Sequence, residues 1–539
     1  MYIVLVIFTS ILYFISFFMV KFYYEQGLPY YDSVGSYWNM FSVMNTTRDI
    51  GIIEGIRLAS EYSLSWLQSF FAVFVSFFLP KTPQALILLN FICLGIAQIS
   101  IYRFISVIGY AKEKAITLAF LPLLPGALWS WYGGYIDMRR DASFVSLLTA
   151  TFFAFAVCLY KPTVKRGIAA GILIGLTQWS RGNAAPYLVI ILLSVLAGYL
   201  YYSFPDRKKV SILKSMLITA SCSFIFLLPY YALNVHAILA KYLFGSWALG
   251  ENRILSLGYV VSSLPMLLLG TSKAAAKIST YFFIAIIIIS IVVVRDKKIF
   301  LDKIRHETKP LVLAGFIIIL ATIFFNGAVL GFNRFAGPIP NYPILVGVYA
   351  VSIAVFLNLR VKKLNAQKTA KILILFILSI LFFNALRIHQ ASPQTDPAKV
   401  IIVKKVADDL ANTLSGRWIS YIWIDHINVH DLNFYLTQKG YRPIRASSGL
   451  AMGADIEMPF DLNRSIEKQR EDFSYAIRTR PFIVITDDLA GYEDKNSQFF
   501  IFRFGRPVIE GIINDPKLKK IYSYDDGNRN YILFENQLL

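Results

Sequence analysis

Eleven stretches of this chain are apolar enough to be read as bilayer helices, at roughly 2–20, 83–102, 114–131, 142–160, 167–180, 185–202, 210–231, 279–294, 310–326, 342–359 and 371–386. A helix needs about 20 mostly apolar residues to cross the hydrocarbon core of a membrane. Only 16% of the 539 residues are charged and 56% are hydrophobic, whereas soluble domains carry about 25% charged residues. A wholly soluble fold cannot cover so much apolar surface, and a disordered chain is excluded for the same reason. The three cysteines, Cys93, Cys158 and Cys222, all fall inside apolar runs, which excludes a disulfide scaffold. The first run has no charge before Lys21 and no small-x-small cleavage pattern, so it reads as a retained anchor rather than a signal peptide.

The basic residues orient these spans. Five alternate connections hold 21 of them, in the stretches Arg103–Lys114, Lys161–Arg166, Arg207–Lys214, Arg295–Lys309 and Arg360–Lys371. The opposite side holds 13 before residue 388, although it includes two long loops. Positive-inside bias puts the five connections and the N-terminus in the cytoplasm, and residues 388–539 outside. That outside segment has 19 basic and 20 acidic residues, so the net charge of +20 belongs to the membrane half. The excess reads as topology and headgroup contact, not as a nucleic-acid surface.

Residues 62–79 are apolar but rich in Trp, Phe and Ser, and read as an interfacial helix ending at Pro80–Lys81, the alternative being a twelfth span; 257–270 reads as interfacial too. The expected organisation is a membrane domain over 1–387, whose first outside loop (21–82) carries interfacial helices, followed by an extracytoplasmic α/β domain over 388–539. In that domain the patterning predicts helices at 396–415, 429–439 and 461–478. It predicts strands at 418–424, 442–446, 481–486, 499–504, 519–524 and 530–535, with an Asp526–Gly527 turn. No dinucleotide or phosphate-loop glycine motif is present. His426 and His430 stand four apart, but without a neighbouring Glu motif or cysteine they read as helix-start polar residues rather than metal ligands.

No span interior carries an obvious ionisable residue, which argues against an ion-coupled transporter. Charged residues gather instead at outside span ends. Asp32 lies in GLPYYDSVGSYW among Tyr30, Tyr31, Tyr37 and Trp38. Aromatic faces around a carboxylate suit a sugar, although an interfacial aromatic belt with a solvated Asp gives the same pattern. Asp137 and Asp141 flank Arg139 and Arg140 in WYGGYIDMRRDASF, where Asp141 fits a helix N-cap. Arg181 sits in the polar break TQWSRGNAAPY, and Arg334 in a Gly/Pro-rich outside loop. With Arg57, Arg139 and Arg140 they offer planar forks to an anionic headgroup. A sugar on a lipid phosphate has a good leaving group. Positive charge must then stabilise the departing phosphate, and one carboxylate must take the acceptor proton. A glycosidase, with its poor leaving group, needs two carboxylates.

At these residues the chain resembles the GT-C superfamily of polyprenyl-phosphate-sugar-dependent glycosyltransferases, which includes the protein O-mannosyltransferases and the lipid A aminoarabinose transferases. It is also compatible with the bacterial enzymes that decorate O-antigen with glucose. The resemblance lies in Asp32 after the first span, Asp141 at the start of the fourth, the S-R-G-N break at Arg181, and the overall plan of spans and exported domain. It implies a polytopic α-helical membrane protein of about 11 spans with a GT-C-like fold, and Asp32 as catalytic base. Tyr31, Asp137, Arg139, Arg140, Asp141, Arg181, Arg334 and Arg57 are the substrate-binding candidates. Many relatives pair acids in the first loop, whereas Asp32 is followed by Ser33; no cofactor is implied with certainty, and a divalent metal is left open. The expected activity is inverting sugar transfer on the periplasmic face of a bacterial inner membrane, from a polyprenyl-phosphate sugar to a cell-surface glycan or glycolipid. The expected partners are these two substrates and membrane lipids, with no nucleic acid. The alternatives are a polymerase or ligase for lipid-linked glycans, a lipid or polysaccharide flippase, and a membrane-anchored binding protein.

Overall fold

The computed structural model describes residues 2–26, 31–62, 65–129, 134–138, 140–182, 184–202, 209–243, 307–325, 342–358, 397–421, 429–446, 465–493, 504–525, 530–537 and 539. The expected spans at 279–294 and 371–386, the interfacial segment 257–270, Arg139, Arg334, His426 and the Asp526–Gly527 turn lie outside the described residues. Along the chain run helices α1 (Tyr2–Gln26), α2 (Tyr31–Asp49), α3 (Ile52–Glu61), α4 (Trp66–Val75), α5 (Pro83–Leu86), α6 (Leu88–Val107), α7 (Lys112–Ala119), α8 (Asp141–Tyr160), α9 (Val164–Ser180), α10 (Ala184–Tyr202), α11 (Lys209–Leu243), α12 (Lys309–Phe325) and α13 (Tyr342–Asn358). Then come α14 (Pro397–Leu414), β1 (Trp418–Tyr421), α15 (Val429–Gln438), β2 (Arg445–Ala446), α16 (Ile466–Arg478), β3 (Phe482–Thr486), α17 (Arg506–Ile513), β4 (Leu518–Asp525) and β5 (Asn530–Asn536). Two compact units result. One takes Met1–Tyr23, Ile56–Leu239 and Glu251–Pro393; the other takes Tyr24–Gly55, Ala240–Gly250 and Gln394–Leu539.

In the first unit, α8 is the hub: almost every residue of it is buried, and α6, α9, α10 and α13 pack around it. Peripheral helices turn apolar side chains outward instead, such as Ile3, Phe14 and Phe18 on α1 and Leu217 and Ile225 on α11. Such a surface is unfavourable in water and at home in lipid. Among the described residues, five helices are long and apolar enough to cross a membrane: Tyr2–Phe22, Pro83–Val107, Asp141–Tyr160, Ala184–Tyr202 and Val210–Asn234. Helices α9, α12 and α13 are 17 residues each. The expected span at 114–131 is not one helix. It stops at Ala119 and continues as two 3-10 turns, because Pro122 and Pro125 each lack the amide a helix needs. Residues 66–75 form a helix of only 10 residues, which rises about 15 Å and is too short to span.

Close packing of α9 on α11 comes from three glycines four residues apart. A Cβ on Gly171 would sit 2.5 Å from the Cβ of Cys222 and 2.7 Å from the carbonyl oxygen of Thr219, and Gly167 and Gly175 are as tightly covered by Ser215 and Phe226. Small residues at this spacing let two membrane helices bring their backbones together. Gly171→Val must push the helices apart and is expected to cost about 1–3 kcal/mol. Thermal denaturation of the detergent-purified protein checks this; an unshifted melting temperature would refute the packing.

The second unit holds a five-stranded mixed sheet in the order β2-β1-β3-β5-β4. Strands β2, β1 and β3 are parallel, while β3, β5 and β4 are antiparallel, with Ile483 opposite Phe534 and Val484 opposite Leu533. Ile477, Ile483, Ile485, Ile509 and Ile512 form its most buried core, shared between strands, α16 and α17. The patterning located α14, β1, α15, β3, β4 and β5 to within a few residues. It placed a strand at 499–504, but Phe504, its one described residue, is helical. Of 442–446 only Arg445–Ala446 pairs as a strand.

Candidate functional site

Asp141 opens α8 and is almost fully buried. The sequence suggested an N-cap, but Arg140 holds the cap position and neither side chain caps the helix. The Asp141 carboxylate instead accepts a hydrogen bond from Arg181 Nη1 in an ion pair. Their side chains are 1% and 18% exposed. Arg181 lies where α9 ends, in extended backbone (φ −156°, ψ 128°), so the polar break read from the sequence is a break in the helix. Its guanidinium stands 5.7 Å from the centre of the Phe144 ring. Gln178, one turn earlier, donates to the Gly182 carbonyl oxygen at 3.3 Å. A carboxylate thus fixes one fork of Arg181, an aromatic ring borders it, and an amide closes the chain behind it.

Short α4 docks against this place. Trp66 meets Trp179 at 5.4 Å and Tyr230 at 5.0 Å between ring centres, with Phe70 stacked on Trp179 at 5.5 Å. Gln68 donates to Ser143 Oγ at 3.2 Å, and Ser143 donates to the Arg140 carbonyl oxygen at 3.0 Å. The start of α8 is therefore tied to α4 through two hydrogen bonds. Asp137 is fully buried, in a turn held by Asn90 of α6, whose amide donates to the carbonyl oxygens of Asp137 (2.6 Å) and Tyr135 (3.2 Å). The Tyr135 hydroxyl reaches Ser146 of α8 at 3.3 Å. Residues 134–138 are thus packed structure, not a solvated loop. Arg57 is exposed on α3 and pairs with Glu61 one turn on.

Asn90, Gln68, Gln178 and the Trp66–Trp179–Tyr230 cluster went unnoticed in the sequence. Their signal was there: polar side chains within apolar runs, as in LILLNFICL and GLTQWS. Such groups are costly in lipid unless they face protein partners.

In the second unit, Tyr31 and Asp32 are the first two residues of α2, and α2 packs on α15. Trp38 Nε1 donates to His430 Nδ1 at 3.1 Å, and Asn45 donates to the Thr437 carbonyl oxygen at 2.9 Å. An indole can only donate, so His430 accepts at Nδ1 and carries its proton on Nε2. Tyr37 and Phe41 pack on Phe434, with ring centres 6.1 and 5.7 Å apart. Tyr37 is fully buried, so it and Trp38 are spent on packing rather than offered to a sugar. Position 32 lies five residues before Tyr37, about 140° around the helix from that packed face. His430 is likewise a buried packing residue. Burial pushes the Tyr435 phenol well above its usual range. Among the described residues, no group of three or more His, Cys, Asp or Glu side chains gathers around a common point.

No protein-family model matches the sequence, and no curated protein matches it. Solved structures do match. ArnT from Cupriavidus metallidurans in the apo state has a TM-score of 0.57 at 13% identity, over 98% of this chain and 97% of that chain. ArnT bound to undecaprenyl phosphate has a TM-score of 0.55 at 12% identity, covering 98% of both chains. The apo oligosaccharyltransferase of Archaeoglobus fulgidus reaches a TM-score of 0.48 at 13% identity, over 94% of this chain and 70% of that chain. At these identities the likeness is one of fold: this chain has the fold seen in ArnT, along nearly its whole length.

Proposed function

We propose that this chain is an inverting glycosyltransferase that moves a sugar from a polyprenyl-phosphate donor to a cell-surface glycan or glycolipid, such as O-antigen or lipid A. It would work at the periplasmic face of a bacterial inner membrane, with the N-terminus in the cytoplasm. The observation that carries this reading is the Asp141–Arg181 pair, a guanidinium held by a buried carboxylate at a break between apolar helices. Charge at such a place needs a purpose, because burying it is expensive. An anionic lipid headgroup supplies one, and the ArnT fold, seen in one crystal with undecaprenyl phosphate, supports that choice.

In the proposed reaction Asp32 accepts the proton of the acceptor hydroxyl. The acceptor oxygen attacks the anomeric carbon as its bond to the phosphate oxygen breaks, and the polyprenyl phosphate leaves with the bonding pair. Arg181, with Arg139, Arg140 and Arg334, stabilises the charge that gathers on that phosphate. Asp141 organises Arg181. Tyr31, Asp137 and Arg57 are the remaining substrate-binding candidates. A single displacement inverts the anomeric configuration.

The test is turnover. Purified protein is offered a panel of undecaprenyl-phosphate sugars together with membrane glycolipid extract, and released undecaprenyl phosphate and product mass are followed. Release coupled to a single-sugar mass gain on the glycolipid is expected. Transfer of an oligosaccharide from a diphosphate donor would favour the polymerase or ligase, and lipid movement without release would favour a flippase.

A further inference from the structure

In the second unit, Arg445 and Arg480 stand over one exposed indole, Trp418, and Arg417 and Arg442 lie at the turn between α14 and β1. Gly416 takes φ +70°, a left-handed turn, and a Cβ there would lie 3.4 Å from Arg442 Cβ and Cδ. Ser415 Oγ accepts from the Arg442 amide at 3.1 Å, and the Arg445 amide donates to the Arg417 carbonyl oxygen at 2.8 Å. Trp418 pairs with Arg445 across the parallel strands, and Arg480 comes in just before β3. The guanidinium carbons of Arg480 and Arg445 lie 5.4 and 6.0 Å from the centre of the Trp418 ring. Trp418 remains 45% exposed.

Among the described residues the charge here is not balanced. Elsewhere in the unit, Arg478 pairs with Asp515, and Arg506 with Glu493 and Glu510. Among the described residues, Arg417, Arg442, Arg445 and Arg480 make no ion pair, and the buried Nε of Arg480 has no hydrogen-bond acceptor. Four guanidiniums without a counter-charge among the described residues can serve an anion, because each offers a planar fork matched to phosphate. Trp418 adds an exposed aromatic ring.

We propose that the surface around Trp418 binds a phosphate-bearing sugar, with the indole against the sugar ring and Arg417, Arg442, Arg445 and Arg480 holding the phosphate. This goes beyond the proposed transfer reaction and stands or falls by binding alone. If that reaction also holds, the surface would serve to hold a phosphorylated acceptor.

The experiment measures binding to the full chain in neutral detergent, without donor lipid or turnover. Glucose 1-phosphate is compared with glucose, inorganic phosphate, uridine monophosphate and vesicles of phosphatidylglycerol. Glucose 1-phosphate is expected to bind at least about tenfold tighter than glucose or inorganic phosphate, and to weaken with added salt. Trp418→Ala should erase its advantage over inorganic phosphate. Arg445→Ala/Arg480→Ala should lower its affinity at least about tenfold. Arg417→Ala/Arg442→Ala, at two exposed positions where the fold is not at stake, should do the same. Wild-type affinity in both double variants, equal binding of inorganic phosphate, tighter binding of the nucleotide, or a preference for the vesicles would each overturn the proposal. None of these outcomes bears on donor turnover, which is assayed separately.

Discussion

Asp32→Asn is expected to lower sugar transfer by about two to four orders of magnitude, the range that a positioned general base contributes. Asparagine keeps the shape of the side chain and loses only the ability to take a proton. The packed face of α2 is built from Val34, Tyr37, Phe41 and Met44, and its polar ties run through Trp38 and Asn45. The variant is expected to melt with the wild type. The measurement is released undecaprenyl phosphate per enzyme per unit time, alongside thermal denaturation. Full turnover in the variant would remove Asp32 from the mechanism. Lost turnover with a lowered melting temperature would point to folding rather than chemistry. A drop in kcat at unchanged KM for both substrates would be the signature of a base, because the missing interaction is made only in the transition state.

Much of this could be read directly in the sequence, for identifiable reasons. Long apolar runs report the solvent a helix meets, so the runs at 2–20, 83–102, 142–160, 185–202 and 210–231 mark α1, α6, α8, α10 and α11, closely for α8 and α10, while α11 runs on to Leu243. Arg181 stood out because a polar stretch with a glycine, set between two apolar runs, is costly at membrane depth unless it faces protein or a watery cavity. Partner choice was not legible. Asp141 fits a cap by local rules, and only the fold shows that its carboxylate turns to Arg181, 40 residues away in the chain. The aromatic residues around Asp32 looked alike in sequence, yet Tyr37 is core because Phe434, some 400 residues on, fills the space beside it. The 114–131 run failed for a local reason: its hydropathy outweighed Pro122 and Pro125 in the reading, although the backbone obeys the prolines. The strand read at 499–504 from the composition of FFIFRF lies outside the described residues except for Phe504, which is helical.

The Asp141–Arg181 pair separates structure from chemistry more sharply than any single substitution. Removing one member of a buried pair strands the other charge and costs about 3–5 kcal/mol. Arg181→Gln and Asp141→Asn are therefore each expected to lower the melting temperature of the purified protein clearly. The double variant buries no uncompensated charge from this pair. Replacing both partners by neutral groups of similar shape can be nearly neutral, so Asp141→Asn/Arg181→Gln should regain most of the lost stability. Its activity should not follow. If Arg181 stabilises the departing phosphate, the double variant stays as slow as Arg181→Gln despite its recovered fold, a loss of about two to three orders of magnitude by analogy with removing one oxyanion donor. Turnover that returned together with stability would make the pair a structural clamp between the start of α8 and the end of α9 and leave the phosphate to other arginines. Arg181→Lys adds a third reading. It keeps the charge for Asp141 but loses the planar fork, so near-normal stability with reduced turnover would show that the geometry of the guanidinium, and not its charge alone, meets the donor.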